Sequence, residues 1–374
     1  MRVLVWQWGR FGTGARYALE LARALSEHCG FGTLLSLAED AELMQNPVCR
    51  QAVDLPLHTY ANAQEFIRRS LFIRSVLRPI FDRLRAAPPD AAIVTMISYW
   101  DVALAHHLRR MGVPVVVMVH DAEVHPGDRF HLAVHLQRRL IRISDGVVTL
   151  TDYVARLARR RLSFAGKVHA TIPHVALDFA DLNLPPPEPP KPVPDRPLRL
   201  LLAGRLKRYK GLELLARALQ QLDGVPIALR VAGAAQHRNE LAALATVPGV
   251  ELDLGWKDER TLISHIDWAD ACILPYVEAS QSGVAPLAFG RGRTVIATPV
   301  GGLPEQIRDG ETGLIAEAVS TTALAGSIRR LAVDRNLVTR LGENALHHAT
   351  SELSWAALGP RFDAVLKAVA RRKS

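Results

Sequence analysis

Apolar residues along the chain follow two alternating patterns. Short runs of Val, Leu and Ile, at residues 2–8, 113–119 and 198–203, have the length and composition of strands buried inside a sheet. The segments between these runs place apolar residues at helical spacing, most clearly at residues 16–27. An alternation of buried strands and helices predicts an α/β fold built on parallel sheets.

A proline-rich segment interrupts this alternation. Residues 184–197 read LPPPEPPKPVPDRP, and this much proline excludes a helix or a central strand. Because 374 residues exceed the size of one ordinary core, we interpret the segment as a semi-rigid linker between two domains. The prediction is an N-terminal domain at 1–183, the linker at 184–197, a C-terminal domain at 198–354 and a last amphipathic helix at 355–374.

The composition is that of a soluble globular protein, with 49% hydrophobic and 22% charged residues. No apolar run is long enough to span a bilayer, and the N-terminal MRVLVWQWG lacks the basic start and long apolar core of a signal peptide. The three cysteines are scattered, which favours a reducing compartment, so we expect a cytoplasmic protein. The net charge of +9 fits three kinds of partner: nucleic acid, an anionic membrane or a phosphorylated ligand.

Residues able to bind an anion follow two strands of the second half. After the strand at 198–203 comes GRLKRYKG, in which Arg205 and Lys210 are cations on one turn. Such a pair can hold phosphate oxygens, or the turn is only a solvated basic loop. After the strand at 271–274 comes PYVEASQSGV, where the amides of Ser282, Gly283 and Val284 begin a helix. That turn is either an anion site or an ordinary helix start.

The first half has a comparable pair of strand ends. The turn GRFGTGA at residues 9–15 joins a strand to a helix, so Gly12 and Gly14 either admit a diphosphate or only form a tight turn. It is neither a complete dinucleotide fingerprint nor a Walker loop. The strand at 113–119 ends in the polar run 120–128, which begins with His120. Because open α/β sheets bind ligands at the carboxyl ends of strands, His120 either faces a ligand or is structural.

The most unusual segment is 61–85, in which large apolar residues alternate with arginines. The arginines are Arg68, Arg69, Arg74, Arg78, Arg83 and Arg85. Pro79 predicts a break between two helices. A basic amphipathic segment can lie on an anionic membrane, which suggests peripheral association with its inner face. The alternative is a core helix with a solvated arginine face.

Together these motifs resemble one known family. The pairing of GRLKRYKG at 204–211 with EASQSGVAPLAFGRGRTVIATPVGGLPE at 278–305 is similar to the family 4 glycosyltransferases of the GT-B fold, and the first glycine turn and His120 fit the same family. The likeness covers nearly the whole chain and is strongest in the second half. It implies two Rossmann-like domains that face each other across a cleft. It also implies retaining transfer of a sugar from a UDP- or GDP-linked donor to a glycan, lipid-linked or small-molecule acceptor.

The resemblance assigns roles to particular residues. It implies that the donor diphosphate is held by Gly12, Gly14, Arg205, Lys210, Ser282, Gly283 and Val284. His120 and Glu278 match catalytic positions, and Gly233 and Trp256 match the nucleoside site, although Trp256 could instead plug the edge of the sheet. No metal or other cofactor is implied, because the cations and loop amides would stabilise the leaving nucleoside diphosphate. The last helix, after Trp355, would return to the N-terminal domain.

Two matters stay open at this stage. Many family members carry a second glutamate two helical turns after the first, and Leu287 or Ala288 stands in its place, which leaves donor identity open. The alternatives are a GT-B enzyme of other chemistry, such as an epimerase or a phosphorylase, or a non-catalytic protein that binds anionic surfaces. No nucleic-acid motif accompanies the arginines, so we expect no nucleic-acid partner.

Overall fold

The computed structural model describes residues 1–122, 131–161, 164–193, 195–235 and 241–372, which divide into two units. Of the described residues, the first contains those as far as Pro173 and those from Trp355 onward, and the second contains those from His174 to Ser354. The boundary therefore precedes the proline-rich segment. Residues 174–183, which the sequence assigned to the first domain, pack with the second unit.

Each unit is built around one parallel sheet of six strands. In chain order the strands of the first sheet are β1 (Arg2–Gln7), β2 (Gly32–Leu37), β3 (Ala91–Val94), β4 (Val115–Val119), β5 (Gly146–Thr149) and β6 (Val168–Thr171). Those of the second sheet are β7 (Leu198–Ala203), β8 (Ile227–Gly233), β9 (Val250–Leu254), β10 (Ala271–Leu274), β11 (Thr294–Ala297) and β12 (Gly313–Ile315). The predicted α/β class is confirmed.

The strand orders place a switch point in each sheet. The first runs β2-β1-β3-β4-β5-β6 and the second runs β12-β11-β10-β7-β8-β9, which is the Rossmann order read from its other edge. Open sheets bind ligands where the strand order reverses, at the carboxyl ends of the strands. In the second sheet that point lies between β7 and β10, which pair with Cys272 opposite Leu201. In the first it lies between β1 and β3, with Val3 opposite Ala91.

Helices cover the two sheets and complete a separate apolar core in each unit. In chain order they are α1 (Gly14–Cys29), α2 (Pro47–Gln51), α3 (Ala63–Leu71), α4 (Ile73–Val76), α5 (Arg78–Ala86), α6 (Asp101–Arg110), α7 (His131–Ile143), α8 (Asp152–Arg161), α9 (Leu212–Gln220), α10 (Ala242–Ala245), α11 (Glu259–Trp268), α12 (Val284–Gly290), α13 (Leu303–Gln306), α14 (Thr321–Val333), α15 (Arg335–Ser351) and α16 (Trp355–Arg371). Polar caps fix several starts, since Asn62, Asp258 and Ser320 each accept a hydrogen bond from an amide of the following turn.

The prediction of two helices separated at Pro79 was wrong. The segment forms α3, α4 and α5, with breaks at Phe72 and Leu77. Pro79 lies in the first turn of α5, where an amide has no intrahelical partner and proline is tolerated.

The C-terminal helix α16 packs within the first unit, against α1. The ring of Trp355 meets that of Tyr17 edge-on at 5.2 Å, and its indole N–H donates to Glu20 Oε2 at 2.7 Å. Arg361 donates to the carbonyl of Thr171 at the end of β6, 2.6 Å away.

The proline-rich segment is not a free spacer, because the second unit holds its carbonyls. Arg291 donates to Pro185 O at 2.7 Å, Thr339 Oγ1 donates to Pro190 O at 2.7 Å, and Arg293 donates to Glu188 O. Each of these contacts ties a carbonyl that has no strand or helix partner to a donor on the folded unit.

Candidate functional site

The switch point of the second sheet brings two polar turns together. One turn follows β7 and contains Arg205 and Lys210, and the other follows β10 and contains Ser282 and Gly283. Their backbones touch, since Val277 N donates to Tyr209 O at 2.8 Å. Gly211 lets them approach: its φ is +69°, and a Cβ there would lie 1.8 Å from Pro275 O.

The two cations of the first turn differ in environment. Lys210 is buried, with 6% of its surface exposed, and its Nζ donates to the Tyr276 hydroxyl at 2.5 Å. Burial, helped by the nearby charge of Arg205, lowers the pKa of the Lys210 ammonium from its ordinary value. Arg205 is exposed, and among the residues that the structure describes its guanidinium makes no hydrogen bond or ion pair. The turn thus presents one fixed cation and one that is available to a ligand.

The amides of the second turn are not all available, in contrast to the sequence prediction. Ser282 N–H donates to Gln306 Oε1 at 2.7 Å, and Val284 N–H donates to Ser282 Oγ at 3.2 Å. Gly283 is the N-cap of α12, and a Cβ built on it would meet nothing within 4 Å. The open space at this turn therefore lies at Gly283, between two amides that are already paired.

The other predicted residues of this unit lie on or near the same edge. Glu278 is half-buried in the turn after β10. Leu287 and Ala288, where the family's second glutamate would stand, are buried on α12. Gly233 ends β8, and a Cβ there would lie 1.9 Å from Gly204 O, so this glycine lets β7 and β8 end close together. Trp256 follows β9 and is 45% exposed.

In the first unit, the glycine turn after β1 already holds a carboxylate. Gly12 has a φ of +80°, and its N–H donates to Glu42 Oε2 at 3.0 Å. Gly14 begins α1, where a Cβ would lie 3.0 Å from Gln7 Nε2 and 3.3 Å from Met96 Sδ. The Gly12 amide is thus already hydrogen-bonded, and a diphosphate would have to displace Glu42 to bind it as predicted.

His120 follows β4, and its environment fixes one tautomer. Its Nε2–H donates to the carbonyl of Thr95 at 2.7 Å, so the neutral ring carries its lone pair on Nδ1. Burial lowers the pKa of the imidazole, which keeps the neutral form at neutral pH. Residues 123–128 of the polar run after β4 lie outside the described residues.

A buried carboxylate lies below the loop that holds His120. Asp101 Oδ1 accepts hydrogen bonds from Trp6 Nε1 at 3.0 Å and from Ser98 Oγ at 2.6 Å, and Oδ2 accepts one from Ser98 N–H at 2.5 Å. Burial raises the pKa of this carboxyl to about 7, against these hydrogen bonds, which favour the charged form. Asp101 thereby anchors the loop at residues 95–98 and, through Thr95, the imidazole of His120.

The sequence reasoning missed several residues of these edges. Tyr276 and Gln306 in the second unit, and Gln7, Glu42 and Asp101 in the first, were given no role. Tyr276 gave a signal, because it lies in the segment PYVEASQSGV, two residues after the end of the buried strand β10. No cluster of three or more His, Cys, Asp or Glu side chains in the described part of the chain has a metal-binding arrangement. None of the described helices combines the length and hydrophobicity needed to cross a bilayer.

These features define the class as a protein of two parallel α/β units, with two basic side chains, Arg205 and Lys210, at a strand edge of the second. Two family models match: "Glycosyl transferase 4-like domain" at residues 12–174 and "Glycosyl transferases group 1" at residues 197–334. The chain therefore belongs to the family 4 glycosyltransferases, and it is a transferase with the GT-B fold.

Relatives of known activity are distant. The chain is 25% identical over 279 residues to the alpha-D-kanosaminyltransferase of Streptomyces kanamyceticus, which covers 70% of this chain and 72% of the relative. It is 32% identical over 173 residues to the D-inositol 3-phosphate glycosyltransferase of Corynebacterium glutamicum, which covers 43% of this chain and 41% of the relative. The chain thus spans about two-fifths of the length of this second relative.

Solved structures resemble the whole chain. Sucrose-phosphate synthase from Thermosynechococcus elongatus has a TM-score of 0.73 at 18% identity and covers 99% of both chains. HepE of Anabaena, in complex with UDP, has a TM-score of 0.69 at 16% identity and covers 98% of this chain and all of its own. At these identities the likeness establishes the fold.

Proposed function

We propose that the protein transfers a sugar from a UDP- or GDP-linked donor to a glycan or lipid-linked acceptor, with retention of the anomeric configuration. The observation that carries the donor assignment is the pairing of Arg205 with Lys210 at the switch point of the second sheet. The complex of HepE with UDP-glucose supports a nucleotide-sugar donor. The remaining donor contacts follow from the family resemblance.

The donor diphosphate binds to the second unit in this proposal. The Arg205 guanidinium takes its oxygens as a bidentate fork, and the Lys210 ammonium adds a point charge. Phosphate oxygens approach the turn at Gly283, where the structure leaves space. Negative charge grows on the leaving nucleoside diphosphate as the glycosidic bond breaks, and these preorganised cations stabilise it without a metal. Gly233 and Trp256 flank the base.

The first unit supplies chemistry at the sugar. His120 is neutral, with the lone pair on Nδ1, and we assign to it a hydrogen bond from a hydroxyl group of the reacting sugar. Glu278, half-buried beside the donor turn of the second unit, is assigned a catalytic role from the family resemblance. Gly14 admits the ligand near the start of α1, where a larger residue would meet Gln7.

An exposed surface on α3 and α4 supports a membrane-associated acceptor. Ile67, Leu71 and Phe72 are 60%, 76% and 65% exposed, and we call these three residues the apolar patch. Exposed apolar side chains beside arginines are typical of segments that lie on an anionic leaflet. The exposed arginines next to the patch are Arg68 and Arg74. We propose that this face brings the enzyme to a lipid-linked acceptor.

A donor screen tests this function. Nucleotide sugars with UDP or GDP are first ranked by the rise in melting temperature, because a ligand of the native state stabilises it. The best donor is then incubated with and without lipid-linked and glycan acceptors, and the anomeric configuration of the product is determined. We expect turnover that depends on an acceptor. Equal donor consumption without any acceptor would contradict transfer, and an inverted product would contradict retention.

A further inference from the structure

The side chain of Gln306 holds both backbone polar groups of Ser282. Its Oε1 accepts from Ser282 N–H at 2.7 Å, and its Nε2 donates to Ser282 O at 3.1 Å. Gln306 ends the short helix α13, so this pair of hydrogen bonds joins two turns that are 24 residues apart. A primary amide has an acceptor and a donor on separate atoms, so it can satisfy a backbone N–H and a C=O at once. The Ser282–Gly283 turn is therefore fixed by a residue outside its own segment.

A buried relay continues from Ser282 to Lys210. Ser282 Oγ lies 3.4 Å from the Tyr276 hydroxyl, which in turn accepts from Lys210 Nζ at 2.5 Å. Tyr276 and Ser282 are 1% and 4% exposed. Burial raises the pKa of the Tyr276 phenol, so the hydroxyl stays neutral; it accepts from the Lys210 ammonium and shares a hydrogen bond with the Ser282 hydroxyl. One connected set of polar atoms thus runs from Gln306 to Lys210.

The ring and backbone of Tyr276 are themselves fixed. The ring meets Tyr209 edge-on with centroids 5.8 Å apart, and Thr298 Oγ1 donates to Tyr276 O at 2.5 Å. Gly301 allows a close approach of its own turn to the turn after β10, since its φ is +56° and a Cβ there would lie 1.5 Å from Ala279 O. The hydroxyl that contacts Lys210 therefore has little freedom to follow the ammonium.

We propose that Tyr276 and Gln306 are positioning residues of the donor site. Tyr276 aims the Lys210 ammonium, and Gln306 fixes the turn at which phosphate oxygens reach Gly283. The inference rests on the proposed function, since it takes a nucleoside diphosphate as the ligand. The lysine ammonium is a point charge on a flexible side chain. A hydrogen-bond acceptor that holds the ammonium in place therefore removes an entropic cost of binding the diphosphate. Hydrogen-bond donors that are fixed before the reaction also need no reorganisation when negative charge develops on the leaving group.

Tyr276→Phe tests the proposed role of Tyr276, with UDP and GDP as the ligands whose affinity is measured. The variant keeps the ring and removes the hydroxyl, so we expect about tenfold weaker binding, the effect of losing a hydrogen bond to a charged group. The hydroxyl also favours the protonated ammonium. Without it, the loss of affinity on raising the pH should begin at a lower pH than in the wild type. A purely structural role would weaken binding equally at every pH.

Gln306→Met tests the proposed role of Gln306, because methionine has a similar length and offers neither hydrogen bond. We expect faster hydrogen exchange in the peptide that contains Ser282, and about tenfold weaker binding of the diphosphate, as two hydrogen bonds are lost. Gln220→Met, on the exposed end of α9, is the matched control and should change neither property. Native far-UV circular dichroism of each variant verifies the fold.

The outcomes separate this inference from the proposed function. If the wild type binds neither UDP nor GDP, or if Arg205→Ala leaves binding unchanged, the proposed donor site is wrong. If Arg205→Ala weakens binding but Tyr276→Phe keeps the wild-type affinity at every pH, Tyr276 does not position Lys210. Unchanged exchange and affinity in Gln306→Met would likewise remove Gln306 from the site.

Discussion

The carboxyl edges of the two sheets are held in shape by different means. In the second unit, side chains do this: Gln306 and Tyr276 fix a turn and a buried lysine through hydrogen bonds. In the first unit, the side chains that do this are carboxyl groups: Asp101 accepts hydrogen bonds from Trp6 Nε1 and from the hydroxyl and N–H of Ser98, and Glu42 accepts one from the Gly12 N–H. Two cations, Arg205 and Lys210, thus lie at the second edge, whereas acidic side chains occupy the first. We therefore expect an anion to bind more readily at the second edge.

The largest expected effect comes from His120, the residue of the first edge to which we assign a contact with the reacting sugar. We expect His120→Ala to lower turnover by roughly 100-fold or more, the usual effect of losing one group that contacts the reacting centre. Affinity for the nucleoside diphosphate should stay at the wild-type value, because the charge is held by the other edge. Steady-state kinetics and calorimetry measure the two quantities separately.

The same residue predicts a pH dependence. Burial lowers the pKa of His120 in the folded protein, so the neutral imidazole persists to lower pH than in an ordinary histidine. The unfolded chain then binds the extra proton first, and this residue's share of the stability is lost as the pH falls below about 6.5. Wild type should therefore lose more stability than His120→Ala between pH 7 and pH 5, by urea denaturation. Parallel curves would show that the imidazole is not held neutral.

The second largest expected effect comes from removing either cation of the second edge. Arg205→Ala and Lys210→Ala should each weaken nucleoside-diphosphate binding by about 1.5–3 kcal/mol, the range for hydrogen bonds to charged groups. The control is Arg217→Ala, which removes an exposed arginine that pairs with Glu213 on α9. Lys210→Met should also keep or raise the melting temperature, since a buried ammonium is costly. Unchanged affinity in both alanine variants would place the diphosphate elsewhere.

The third prediction uses glycines to separate the edges. Gly283→Ala should leave the melting temperature unchanged, because a Cβ there has open space and φ is −72°. It should nevertheless weaken diphosphate binding by about 1–3 kcal/mol, since the added methyl group enters the proposed ligand space. Gly14→Ala should instead lower the melting temperature slightly, because its Cβ would lie 3.0 Å from Gln7 Nε2 and 3.3 Å from Met96 Sδ and these side-chain ends would have to shift. Equal stability losses in the two variants would contradict the distinction.

The sequence predicted the second edge better than the first for a physical reason. Arg205 and Lys210 lie in one short motif and Gly283 lies in another, each soon after the end of a strand, so local pattern located them. The residues that hold them, Tyr276 and Gln306, act through contacts between distant segments, and nothing in their neighbours indicates those contacts. The strand order also lay beyond local pattern, although it decides which strand ends meet. The sequence located the amides of Ser282 and Gly12. It did not show that the side chains of Gln306 and Glu42 accept hydrogen bonds from them.

The smallest expected effect concerns the surface of α3 and α4, which has no counterpart on the second unit in our proposal. Three of the six arginines of residues 61–85 are close to carboxylates: Arg69 lies 3.9 Å from Glu65, Arg78 lies 3.6 Å from Asp82, and Arg85 lies 3.2 Å from Asp82. Their charge is thus partly compensated, so we expect the segment to contribute less to any membrane binding than its arginine count suggests.

Arg68 and Arg74 have no ion pair among the described residues and lie beside the apolar patch. The double variant Arg68→Gln/Arg74→Gln should lose about 1 kcal/mol of binding free energy per arginine on anionic vesicles. Arg217→Gln/Arg329→Gln makes the same change in net charge on the second unit and should bind as the wild type does. Co-sedimentation should fall as salt rises, because the attraction is screened within about 10 Å at 0.1 M salt. Equal losses in the two double variants would mean that net charge, rather than this face, brings the protein to the membrane.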